Sequence, residues 1–97
     1  MKPVRFHDEA KAEIAHETVY YNTVSMALAE RFVRAVEDAV ALASEFPAMG
    51  TKHTYGTRRY YPKKFPFSVV YTEVHYGILI HAVADARRMP EYWLSRL

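Results

Sequence analysis

An α+β fold is predicted for this 97-residue chain: a small antiparallel sheet backed by an N-terminal helical hairpin, in the order β-α-α-β-β-β. Three observations predict it. Apolar residues recur at helical spacing over the first half, the period falls to two after Gly56, and the connections in each half are too short for anything but antiparallel neighbours.

Val4-Arg5-Phe6 alternates and is β-prone, so a strand is expected there. Asp8 is then placed to cap a helix, with Glu9 in the first turn where the helix dipole favours an anion. Ala10, Ile14, Thr18 and Tyr21 give this helix one inward stripe, and Asn22-Thr23 ends it. Ser25 caps the second helix, whose Leu28, Phe32, Val36, Ala39, Ala43 and Phe46 step by three and four along one face until Pro47 stops it. The stretch 47–56 reads as a loop. Thr57–Lys63 alternates arginine and tyrosine, and Pro62 confines it to a sheet edge or strand end. Phe67–Val74 and Gly77–Asp85 form a hairpin around His75-Tyr76, and Pro90 opens a short helical tail.

A chain of this length makes one domain, residues 1–97, because cores divide only beyond roughly 250 residues. With 51% apolar and 25% charged residues, intrinsic disorder is excluded. The absence of cysteine excludes a disulfide framework, a thiolate zinc site and a cysteine nucleophile. No run approaches the roughly 18 apolar residues of a membrane span, and Met1–Glu9 lacks the apolar core of a signal peptide, so a cytoplasmic protein without membrane contact is expected. Charge is divided: residues 1–56 carry six Lys/Arg against eight Asp/Glu, while residues 57–97 carry seven against three. A basic second half points to a polyanionic or acidic partner.

Several residues, in order, carry a resemblance to a known family. They are Phe6 and Ala10, the Tyr20-Tyr21 pair, Ala29, Arg31-Phe32, Val36-Glu37, Pro47, Gly50, Arg58-Arg59, Phe65-Pro66-Phe67 and Val69-Val70-Tyr71. The ending Arg87-Arg88-x-Pro90-x-Tyr92-Trp93-x-x-Arg96 completes them. In these the chain resembles the RelE/ParE superfamily of type II toxin–antitoxin toxins, and within it the ParE-like plasmid stabilisation branch. The resemblance implies a twisted antiparallel sheet backed by a helical hairpin, no cofactor, and a small antitoxin partner. RelE-like members cut messenger RNA on the ribosome without a metal, whereas ParE-like members act on DNA gyrase. A third possibility is a non-toxic homologue kept as a binding partner.

Metal-free RNA cleavage needs a base, an acid and positive charge at the phosphate. The candidates are Arg58, Arg59, Arg87, Arg88 and Tyr92; target binding adds Lys63 and Lys64. Arginine suits phosphate because its planar fork stays charged. Only one member of each adjacent arginine pair can face a given surface; the alternative for these groups is a salt bridge with Glu73 or Asp85. Lys63-Lys64 serves equally as edge protection, and the tyrosines either stack on bases or pack the sheet. Trp93 is expected to anchor the tail and His81 to be buried and hydrogen-bonded. His7, His16, His53 and His75 match no metal spacing, so no metal site is expected. Many related chains carry a histidine two positions before the closing arginines, where this sequence has Asp85. A carboxylate there is expected to orient Arg87 or Arg88, which favours gyrase binding over cleavage. Cationic side chains of the late hairpins and the carboxyl-terminal stretch, with one arginine from each pair, are expected to gather in one outward-facing cluster on an exposed basic sheet face.

Overall fold

The computed structural model describes residues 2–97. Its elements are β1 (Val4–Phe6), α1 (Asp8–Asn22), α2 (Met26–Glu45), β2 (Thr51–Lys52), β3 (Arg58–Tyr60), β4 (Phe67–Val74) and β5 (Gly77–Asp85). Short 3₁₀ turns lie at Pro47–Met49, Thr54–Gly56 and Leu94–Arg96. The five strands form one sheet in the order β1-β5-β4-β3-β2. The expected antiparallel neighbours are β3, β4 and β5; the stretch 47–56, read as a loop, adds the two-residue strand β2 antiparallel to β3, and β1 joins parallel to β5. A parallel neighbour needs a long crossover, and the helical hairpin supplies it.

Local chemistry accounts for most boundaries. The cap of α1 is His7 and not Asp8: the His7 Nδ1 accepts from the Glu9 N–H at 3.1 Å, because His7 has the extended backbone a cap requires while Asp8 is already helical. Ser25 caps α2 by accepting from the Leu28 N–H at 3.0 Å. The stripe of α2 buries Phe32, Val36, Ala39 and Ala43 against Val69, Tyr71, Ile78, Ile80 and Val83 of the sheet. Phe46 leaves that face: at the C-cap the backbone departs from helical angles and the ring is exposed. The arginine–tyrosine stretch pairs only over Arg58–Tyr60, since Pro62 lacks the N–H that would extend the ladder. The tight hairpin turn brings Gly77 so close to β1 that a β-carbon there would stand 2.1 Å from the Pro3 carbonyl oxygen.

One irregularity decides which face each β5 side chain takes. Tyr71 opposes Ile80 and Val70 opposes Ala82, so His81 has no partner across the ladder. This bulge lets both Ile80 and Val83 face the helices while Ala82 and Ala84 face away. The away face was expected to be exposed and basic. It is covered: Trp93, fully buried, packs on Val70, Ala82 and Ala84, with Tyr92 and Leu94 beside it. An indole of this size buries more apolar area than any other side chain, which is why so short a tail can dock.

Candidate functional site

The sheet distributes the candidate residues rather than gathering them. Arg58 opposes Tyr71 and therefore shares the helix-side face; its guanidinium donates to the carbonyls of Ala48 (3.1 Å) and Gly50 (2.8 Å), stapling the loop after α2. Arg59 points the other way, 5.7 Å from the Trp93 ring, and donates to the Tyr61 hydroxyl at 3.3 Å. Lys63 and Lys64 are exposed on the β3–β4 loop. There they face Arg31 and Arg34 of α2 across a groove of about 440 Å³ with an apolar floor of Ala35, Ala39, Leu42, Tyr60 and Pro62. None of these four cations has an acidic partner among the described residues, and Asp38 is the one carboxylate that lines the groove.

The closing arginines turn toward α1. Asp85 receives Arg87 through two prongs, Nε to Oδ1 at 3.0 Å and Nη2 to Oδ2 at 2.6 Å, and also accepts the Arg87 N–H at 2.8 Å. That bidentate pair holds the Asp85 carboxyl below its ordinary value and Arg87 above its own. Glu17 sits 3.9 Å from Arg87, and its pKa is raised, chiefly by burial and then by the Asp85 charge.

Glu13, on the same face of α1, is the centre of the arrangement. Its Oε1 accepts from the Val83 N–H (3.0 Å) and Arg96 Nη1 (3.0 Å); its Oε2 accepts from Arg88 (3.1 Å), Arg96 Nη2 (3.1 Å) and the Tyr92 hydroxyl (2.5 Å). Arg96 also reaches the His81 carbonyl at 3.1 Å and Glu9 at 3.2 Å. One carboxylate thus ties a strand and three tail side chains to the first helix. The sequence held a signal for it: Glu9, Glu13 and Glu17 recur every four residues, an acidic stripe beside the apolar one and opposite the basic tail. Arg96 belonged to the closing motif, yet its role as an internal strut depends on where Glu13 stands.

The expected single outward cluster is therefore absent. Adjacent strand residues face opposite ways, which separates Arg58 from Arg59; Asp85 holds Arg87, and Glu13 of α1 draws Arg88 and Arg96 to itself, enclosing Arg96 while Arg88 stays half-exposed. Chemically the tail is poorly set for proton transfer. The Tyr92 phenol donates to Glu13 and its pKa is pushed further up by burial and by that carboxylate. His81 is buried with its Nε2 on the Thr72 hydroxyl at 3.0 Å, and burial lowers its pKa. His53 is half-buried, 6.2 Å from the Trp93 ring. Among the described residues no group of three His, Asp or Glu stands close enough to hold a metal ion.

A helical hairpin on one face of a five-stranded sheet, with a short tail folded over the other, is an α+β architecture of the RelE/ParE type. The sequence model described as "ParE toxin of type II toxin-antitoxin system, parDE" matches residues 4–90, and the chain belongs to that family. It is thereby a toxin of a type II toxin–antitoxin system, with an antitoxin as its partner. The match ends before Tyr92, Trp93 and Arg96. No curated protein sequence matches the chain. No helix among the described residues is long and apolar enough to cross a membrane.

Proposed function

We propose that this toxin arrests growth by binding DNA gyrase rather than by cutting RNA, and that a small acidic antitoxin neutralises it. The observation that carries this reading is the occupation of the tail's reactive groups. Arg88, Arg96 and Tyr92 are all committed to Glu13, and Arg87 to Asp85. A phosphoryl-transfer site needs a free acid and a free base beside its positive charge, and these contacts tie up Tyr92, the tail's one acid–base candidate, and pair the closing arginines with carboxylates. Binding asks less: Arg59, Lys63, Lys64 and the half-exposed Arg88 present charge without having to move a proton. The groove bordered by Arg31, Arg34, Lys63 and Lys64 supports the acidic partner, since an apolar floor with a cationic rim suits an amphipathic acidic segment that orders on binding.

A supercoiling assay tests the reading. Purified toxin at micromolar concentration is expected to stop gyrase from supercoiling relaxed plasmid or to trap cleaved DNA. Undisturbed supercoiling, with new message ends inside codons by primer extension, would assign the chain to the RNA-cutting class instead. Normal growth after induction of the toxin alone would leave only the binding-partner role.

A further inference from the structure

The three tail side chains that meet Glu13 do not meet it alike. Arg96 is nearly enclosed, with 7% of its side chain exposed, whereas Arg88 keeps 51%. The Arg88 guanidinium lies 3.7 Å from the centroid of the Tyr92 ring, and Arg96 lies 5.1 Å from the same centroid. Tyr92 thus lies against two arginines, and all three groups bond to one carboxylate. The segment carrying them contains neither strand nor α-helix, only turns, one closed by the Arg88 N–H on the Asp85 carbonyl at 3.1 Å and one at Leu94–Arg96, and the Trp93 anchor. Its backbone alone does not dictate where Arg88 points. A free arginine loses much rotamer freedom when it docks on a partner, and one already held in place loses less.

We propose that Glu13 is a positioning residue: by its own bond to Arg88 and by holding the Tyr92 ring beneath it, Glu13 aims the exposed side of Arg88 at an anionic group of the toxin's target. The proposal rests on the reading above, in which Arg88 touches that target. Glu13 itself faces inward and touches only the toxin.

The first test is made on the isolated full chain by NMR. The Arg88 guanidinium carbon lies 3.7 Å from the Tyr92 ring centroid, so its Nε–H signal is expected to carry a ring-current shift. Glu13→Gln keeps an oxygen for the Val83 N–H but removes the charge. It is expected to return the Arg88 signal to the position of a solvated arginine. Exchange of the Arg88–Arg96 amides should quicken about tenfold, with α2 and β4 unchanged. An Arg88 signal that stays put in Glu13→Gln overturns the proposal. If that variant does not fold, Glu13→Asp, which keeps the charge and shortens the reach, is read by the same criterion. The second test is the supercoiling assay. Glu13→Gln should weaken inhibition in the wild-type background and add nothing in an Arg88→Met background; an equal further loss there overturns the aiming role. The NMR test needs no gyrase, so an inactive wild-type toxin would refute the gyrase target while the Glu13 result is judged by itself.

Discussion

The hydroxyl of Tyr71 occupies the place a β-carbon on residue 50 would need: a carbon built on Gly50 stands 2.4 Å from it. That hydroxyl donates to the Pro47 carbonyl at 2.7 Å and accepts the Gly50 N–H at 3.1 Å, so the middle of β4 holds the loop that leaves α2. Gly50→Ala is expected to lose about 1–3 kcal/mol through overpacking, because a fully buried ring cannot swing aside. Tyr71→Phe should cost a similar ~1–3 kcal/mol by leaving a buried N–H and carbonyl without partners. Urea denaturation of each variant measures both losses; a midpoint equal to wild type for Tyr71→Phe would show that the loop is held by other contacts.

Trp93 anchors the tail from outside the family match. Trp93→Ala removes a fully buried indole from Val70, Ala82 and Ala84 and is expected to cost about 3–5 kcal/mol. The loss should be confined to the tail side: α1 and α2 keep their packing, so far-UV circular dichroism at low temperature stays native while the melting temperature falls. A helical signal lost together with the tail would mean that the two faces of the sheet fold as one inseparable unit.

Acid affects the α1–tail cleft in two opposing ways. Glu17 has a folded-state pKa raised above its ordinary 4.5, so its ionisation favours the unfolded chain. Stability linked to it is present below 4.5 and declines as pH rises through the raised value. Asp85 is held below its ordinary 3.8 by Arg87, so its contribution is present above 3.8 and is lost as pH falls through the lowered value. Glu17→Gln is therefore expected to raise stability at pH 7, with the advantage vanishing below 4.5, and Asp85→Asn to lower stability at pH 7. Denaturant midpoints across pH 3–8, an interval of about five units spanning both carboxyl ranges, check the signs.

His81 should titrate low. Burial, assisted by the charge of His7, depresses its pKa below the ordinary 6.5, so the neutral ring is the folded form. Its share of stability is complete above 6.5 and is lost as pH falls through the depressed value. An NMR titration of the His81 ring protons is expected to give a midpoint under 6.5. Replacing Thr72 by Val removes the Nε2 partner at 3.0 Å and should cost about 1 kcal/mol. A midpoint at or above 6.5 would mean that water reaches the bulge.

Much of the architecture was legible residue by residue. The helical stripe from Phe32 to Ala43, the Ser25 cap, Pro47 as a stop and the period of two in Phe67–Val74 are local signals. Each arises from interactions within a few positions along the chain, so a linear reading captures them. Trp93 as a tail anchor was legible for a similar reason, since a lone indole near a terminus has few uses besides burial. The His7 cap was not, because Asp8 is the better capper by type and only the backbone angles show which residue has turned into the helix.

The placement of charge was decided in three dimensions. By itself the sequence determined the α+β class, the hairpin, the sheet-forming segments and a basic second half, all from periodicity and composition. Only the tertiary structure decided which of Arg58 and Arg59 takes the helix side of the sheet and that a bulge at His81 resets the faces of β5. It also decided that Glu13 draws Arg88, Tyr92 and Arg96 onto α1 from 75 to 83 positions away. The physical reason is range. Backbone propensity and hydrophobic spacing act over a turn or a strand, whereas the partner of a charge is whichever opposite group the finished fold brings within about 3 Å.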